Sequence, residues 1–238
     1  MSARRRAAAL VLAATTGCSL FVDLGGISDE AAGGDGGAST DADGGGTDAV
    51  LVRLLTFEDG ALVHPSTGAD HVDGTPTLET ARPLRGAHSA RVVAAEGSGV
   101  STFRCDLPPA SDLTLRFLLR VAVLPSGSIR IVRIVGGGET SGELELSASG
   151  QLGVSAPRAS AIRSPALDLD VVYAVQLRQT STGVLEASVA KDGEPFGAPF
   201  GVTAPRAIAA ATSVALGQTV ASNYGMDITL DDVAIEAR

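Results

Sequence analysis

The alternation of residues 112–124 restricts the fold of this chain more than any other feature. Odd positions are apolar throughout (Leu113, Leu115, Phe117, Leu119, Val121, Val123), while Thr114, Arg116 and Arg120 hold even ones. Successive side chains of a strand point to opposite faces, so the pattern makes a long strand with one face on a core. The same period recurs at residues 129–131, 144–146, 173–177 and 185–189. Turn signals separate the runs: Pro125-Ser126-Gly127, Gly136-Gly137-Gly138, Ser149-Gly150, Thr182-Gly183 and Asp192-Gly193. Strands are expected at 50–57, 90–94, 101–105, 113–124, 129–135, 143–148, 152–155, 171–179, 184–191, 213–218 and 226–236. Only residues 208–212 could make a helical turn. Many short alternating strands without helices between them give an all-β, antiparallel two-sheet β-sandwich, whose edges close most readily as a jelly roll.

The strands begin only at Val50. Before them, Arg4-Arg5-Arg6 is a basic head, residues 7–14 are apolar and short, and Thr15-Thr16-Gly17-Cys18 ends in small residues and a cysteine. That is the anatomy of a secretory signal, too short in its apolar run to span a bilayer. The cysteine after small residues resembles the lipobox of bacterial lipoproteins, although Thr15 stands where that family mostly has Leu. The resemblance implies cleavage after residue 17, lipidation of Cys18 and a membrane anchor. By the same resemblance, Ser19 rather than Asp after the cysteine favours the outer membrane. Between Asp23 and Asp48 lie seven acidic residues and no basic one, in a Gly-rich stretch with almost nothing to bury. Such a segment cannot offset its own ordering entropy, so residues 18–49 are expected to be a disordered tether. The organisation is thus a signal peptide (1–17), a tether (18–49) and one β-sandwich domain (50–238).

The formal charge is −9 for the whole chain, and losing the three arginines of residues 1–17 makes it −12. That balance excludes nucleic acid as a partner, because phosphates require clustered cations. With Cys18 lipidated only Cys105 remains, so no intramolecular disulfide is available and Cys105 reads as a small buried hydrophobe.

Several motifs then appear in order. They are Phe57-Glu58-Asp59-Gly60, Gly86-Ala87-His88-Ser89-Ala90-Arg91-Val92, Tyr173-x-Val175-x-Leu177-Arg178, Val189-x-Lys191-Asp192-Gly193 and Leu230-Asp231-Asp232-Val233-Ala234-Ile235. Together, over residues 50–238, they resemble a concanavalin A-like, laminin-G-like jelly roll, and the first and last are similar to carbohydrate-binding modules. In the last strand Ile228 and Leu230 are apolar at even positions but Val233 and Ile235 at odd ones. The buried face therefore changes parity across Asp231-Asp232, which needs a bulge. Two adjacent carboxylates there require a cation or hydrogen-bond donors, unless they face solvent at an edge. The resemblance implies the cation: a structural calcium held by Glu58 and Asp231, with Asp232 as the substitute ligand and carbonyls near residues 86–89 completing the shell.

No catalytic motif is recognised. Glu143-Leu144-Glu145 puts two carboxylates on one face, but Ser147 stands where a third would be, and the pair reads as the solvated side of a strand. Gly138-Glu139-Thr140-Ser141-Gly142 is a turn rather than a nucleophile elbow. His64 and His71, in a long loop with Asp70 and Asp73, have no metalloenzyme spacing. Sugar sites favour aromatic platforms; the chain has no Trp, and Phe57, Phe196, Phe200, Tyr173 and Tyr224 are its possible surface aromatics. The expected function is a non-enzymatic cell-envelope lipoprotein presenting its β-sandwich for glycan or protein binding and adhesion. The alternatives are an envelope glycan-processing enzyme with unrecognised catalytic residues, or a structural envelope component.

Overall fold

The structure, a computed structural model, describes residues 49–159 and 162–238, without the side chain of Ile162. The signal segment, Cys18 and the tether as far as residue 48 lie outside the described residues. The strands are β1 (Val50–Leu55), β2 (His71–Asp73), β3 (Thr77–Glu79), β4 (Ser89–Ala94), β5 (Ser101–Ala110), β6 (Leu113–Val123), β7 (Ile129–Gly136) and β8 (Glu139–Leu146). They continue as β9 (Gln151–Ser155), β10 (Ile162–Ala166), β11 (Val172–Gln179), β12 (Val184–Lys191), β13 (Phe200–Thr203), β14 (Ala211–Gln218) and β15 (Met226–Ala237). Among the described residues there is no helix. Residues 208–210 are irregular, and Ala211 and Thr212 open β14 instead of closing a helical turn.

Two antiparallel sheets form the sandwich. One has eight strands in the order β13-β12-β11-β6-β15-β4-β3, with β1 beside β15; the other has seven, β10-β9-β8-β7-β14-β5-β2. The expected inward set of β6 is in place except at its last residue: Leu113, Leu115, Phe117, Leu119 and Val121 are buried, whereas Val123 is 53% exposed. The buried residues meet Ile129, Ile134, Leu144, Leu146, Val214 and Leu216 in one core. The other face of β6 is not open to water. Arg120 on it is 7% exposed, with Arg82 and Asp170 paired nearby at 3.4 Å, so loops close over what the alternation alone presents as a solvated side.

β15 carries the expected parity change. Ile228 and Leu230, then Val233 and Ile235, are fully buried, and the register against β6 shifts between Asp231 and Ala234. Asp232 takes φ +45°, the left-handed conformation that lets the strand absorb its extra residue. One flank of β15 is thereby divided: β4 pairs with residues 226–230 and β1 with residues 233–237.

Candidate functional site

The bulge sets Asp231 and Asp232, two of the carboxylates expected at a calcium, beside the segment of residues 85–89 that the third, Glu58, also contacts. Asp231 is 1% exposed; its Oδ2 accepts from Ser89 Oγ (2.7 Å) and Arg85 N (3.1 Å), and its Oδ1 from Asp232 N (2.8 Å). Glu58, just beyond β1, accepts from Ala87 N (3.0 Å) and His88 N (3.4 Å). Asp231 therefore holds both ends of one five-residue segment, Arg85–Ser89, and Glu58 holds its middle. Gly86 within it has φ +57°, and a Cβ there would lie 2.1 Å from Glu58 Oε1, so a side chain is excluded twice over.

Among the described residues neither Glu58 nor Asp231 has an ion-pair partner, whereas Asp232 is bound by Arg85 (3.1 Å), which also reaches Asp192 (3.0 Å). Burial pushes the Asp231 carboxyl up to about 6 and raises that of Asp232 as well. Asp231 is buried without a counter-charge but has hydrogen-bond donors on both oxygens, and Glu58 is exposed. Asp232, already paired, does not fit a cation, and residues 85–88 turn N–H groups rather than the expected carbonyls toward the two carboxylates. No group of three or more His, Cys, Asp or Glu side chains converges on one point among the described residues. Calcium therefore stands as a proposal resting on two residues.

A second constellation lies on the outer face of the seven-stranded sheet. Arg130 and Arg133 are three apart in β7, and a regular strand would put them on opposite faces. The register against β8 shifts between Arg130 and Val132, and this irregularity turns both arginines outward. Glu143 and Glu145 of β8 face them. Arg130 Nε lies 2.7 Å from Glu143 Oε2, Arg133 Nη2 3.3 Å from Glu143 Oε1, and Arg163 Nη2 3.6 Å from Glu145 Oε2. The two glutamates are not a solvated face: their side chains are only 13% and 17% exposed beneath the guanidinium groups.

Cross-strand pairing aligns these residues in two rows. One runs His71–Arg104–Ala215–Arg133–Glu143–Ser155 over six strands, roughly 24 Å at a strand spacing of about 4.8 Å. The other runs Arg163–Gly153–Glu145–Arg130. Small residues keep both rows low; at Gly153 a Cβ would meet Arg163 Nη1 at 3.0 Å. Three buried guanidinium nitrogens on this face make no hydrogen bond. Arg163 Nη1 has no hydrogen-bond partner, and Arg104 Nε and Arg130 Nε lie beside carboxylates without hydrogen-bond geometry. His71 and Asp73, expected in a loop, form β2 at the edge of this sheet, and His71 Nε2 contacts Asp106 at 2.8 Å.

Of the five candidate aromatics, Phe57 is fully buried edge-on to Phe103 with centroids 5.4 Å apart, and Tyr173 is buried. Phe200 is half-buried, while Phe196 and Tyr224 are exposed. Burial pushes the Cys105 thiol up to about 11, in keeping with an inert core residue.

No protein-family model matches the chain, and no curated protein matches it in sequence. Solved structures do share its fold. A cellulose-induced protein, Cip1, matches with a TM-score of 0.57 and 19% identity over 76% of this chain and 95% of its own. An endo-β-1,4-glucuronan lyase from the fungus Trichoderma reesei matches with a TM-score of 0.54 and 12% identity over 79% of this chain and 96% of its own. A botulinum neurotoxin type C structure, titled for cell entry through two ganglioside molecules, matches with a TM-score of 0.58 and 12% identity, over 80% of this chain and 48% of its own. The jelly-roll β-sandwich expected from the sequence is the architecture these proteins share. The expectation of a non-enzymatic module does not stand. It rested on the lack of a recognisable catalytic motif, and the same architecture, over nearly the whole of its chain, is that of a lyase.

Proposed function

We propose that the outer face of the seven-stranded sheet receives an acidic polysaccharide, and that lipidated Cys18 presents this face at the cell envelope on an acidic tether. The observation that carries the reading is the alignment of Arg104, Arg130, Arg133 and Arg163 on one face of a chain whose net charge is strongly negative. Guanidinium groups pair with carboxylates in planar two-point geometry, which suits uronate units rather than neutral sugars. The neighbours named for glucuronan and for gangliosides are consistent with a glycan as ligand.

The test is the affinity of the mature chain for polyglucuronate and for a neutral glucan of equal length. Arg133→Ala and Arg104→Ala should each weaken polyglucuronate binding by about tenfold or more, as expected for charge-assisted hydrogen bonds. Binding should also fall with added salt. Equal binding of the neutral glucan, or unchanged affinity in the double variant, overturns the reading.

The pairing of arginine with glutamate favours processing as a second reading. A guanidinium that neutralises a uronate carboxylate makes the adjacent C–H more acidic, and Glu143 is placed among those guanidinium groups to accept that proton. The C4–oxygen bond would then break, the departing oxygen taking a proton and the sugar keeping a C4–C5 double bond. Ultraviolet absorbance of that product, lost in Glu143→Gln while binding persists, identifies processing; its absence from the wild-type protein leaves recognition alone.

A further inference from the structure

The arginine row that ends at Arg130 opens into a hollow that the row itself does not explain. Beyond Arg130 the neighbouring strand β14 has stopped, and the chain crosses to β15 through residues 219–225. Thr219 ties this crossing to β7: its N and Oγ1 both donate to the Arg130 carbonyl, at 3.0 and 3.1 Å. Between the crossing and the sheet lies a cavity of about 340 Å³, lined by Ser128, Arg130, Glu145, Asn223 and Tyr224 among others. That volume is within the range of small-molecule sites, at about 300–1,000 Å³.

Tyr224 is 40% exposed at its wall, on the same cavity as a guanidinium, a carboxylate, an amide and a hydroxyl. Its ring is fixed in place by a glycine. A Cβ at Gly127 would lie 2.4 Å from Tyr224 Cε2 and Cζ, so the ring rests on the backbone of the β6–β7 turn. An exposed aromatic ring close against a turn offers a large apolar surface in a chain with no Trp and two Tyr.

We infer that this cavity is a subsite for a single acidic pyranose unit: the sugar's apolar face stacks on Tyr224, its carboxylate meets Arg130, and its hydroxyls reach Glu145, Asn223 and Ser128. The inference rests on the reading of the adjoining face as a glycan site, and it names where one end of that glycan is held. An aromatic ring supplies the apolar contact that arginines cannot, so this subsite distinguishes a pyranose ring from other polyanions, which the row alone would accept.

The chain provides its own reporter. Tyr173 is buried, and with no Trp present a ligand-induced change in tyrosine emission arises at Tyr224. Titration of the mature chain with a glucuronate tetrasaccharide should change that emission, and Tyr173→Phe should leave the change intact. Tyr224→Ala should weaken tetrasaccharide binding about tenfold. Tyr224→Phe should preserve it, because the ring remains. Gly127→Ala should reproduce the loss with Tyr224 still present, since the added methyl displaces the ring. Melting temperature separates these effects from misfolding. If Tyr224→Ala and Gly127→Ala bind as the wild type does while Arg133→Ala is weakened, the subsite is wrong and the arginine face survives. If no acidic glycan binds, or all these variants bind equally, both fall together.

Discussion

At the scale of single residues, Asp231 is where the structure makes its sharpest statement about pH. Its carboxyl is pushed up to about 6 by burial, against 3.8 for an ordinary aspartate. Between those values the folded state holds a proton that the unfolded chain has released, so stability falls as pH rises through the window. Above it the loss is complete, at about 3 kcal/mol. In the presence of chelator, the melting temperature of the wild type relative to Asp231→Asn should therefore drop between about pH 4 and 6 and be level on either side. The asparagine oxygen can keep the donors from Ser89 and Arg85, while its amide cannot accept from Asp232 N, giving an offset that does not depend on pH. A difference that stays constant from acid to neutral pH would show that Asp231 titrates as a solvated group. Glu79 works in the opposite sense: backbone donors, chiefly from Arg82, lower its carboxyl, so its contribution is lost on acidification.

At the scale of elements, the two bulges differ in how legible they are. The one in β15 is written in its own strand, because Leu230 and Val233 are both apolar and no regular strand buries both. The one in β7 is not. Isoleucine and valine at 131 and 132 read as an unbroken apolar run, and only the register with β8 shows that Arg130 and Arg133 share a face. The arginine face was missed for that reason, and Glu143 and Glu145, seen from the sequence as a pair on one face, were read as solvated rather than covered by guanidinium groups. Strands β2, β3, β10 and β13 are three to five residues long, too short for alternation to declare; pairing with a neighbour makes them strands. Arg120 shows the complementary limit, since nothing local to β6 reveals that a distant loop covers it. The calcium proposal belongs to this scale too, because Glu58 and Asp231 join the end of β1 to the irregularity of β15 and the entry to β4. A ligand bound only by the folded state adds about 2.7 kcal/mol at a hundredfold excess over its Kd. Chelation at neutral pH should then lower the melting temperature by several degrees in the wild type and leave Glu58→Ala unchanged. Superimposed wild-type curves would leave the N–H and O–H donors of residues 85–89 as all that holds the junction.

At the scale of the whole molecule, the proposal assigns anchor, tether and sandwich to parts of the chain that share no residues. The sandwich builds its core entirely within residues 55–235, with Leu55 and Ile235 at its limits, and its only thiol, Cys105, is buried and free. On that proposal a glycan-binding face gains from being held clear of a membrane, by roughly 25–30 Å for a flexible Gly-rich coil of this length. Seven acidic residues and no basic one between Asp23 and Asp48 disfavour anionic headgroups, so the proposed lipid on Cys18 would have to supply the attachment. Cys18→Ala should therefore move the protein from the membrane fraction to the soluble one, with an unchanged melting temperature and unchanged affinity for polyglucuronate. Sedimentation with membranes after a high-salt wash would mean that the attachment lies in the sandwich. A lowered melting temperature in the released protein would mean that the N-terminal residues contribute to the fold after all.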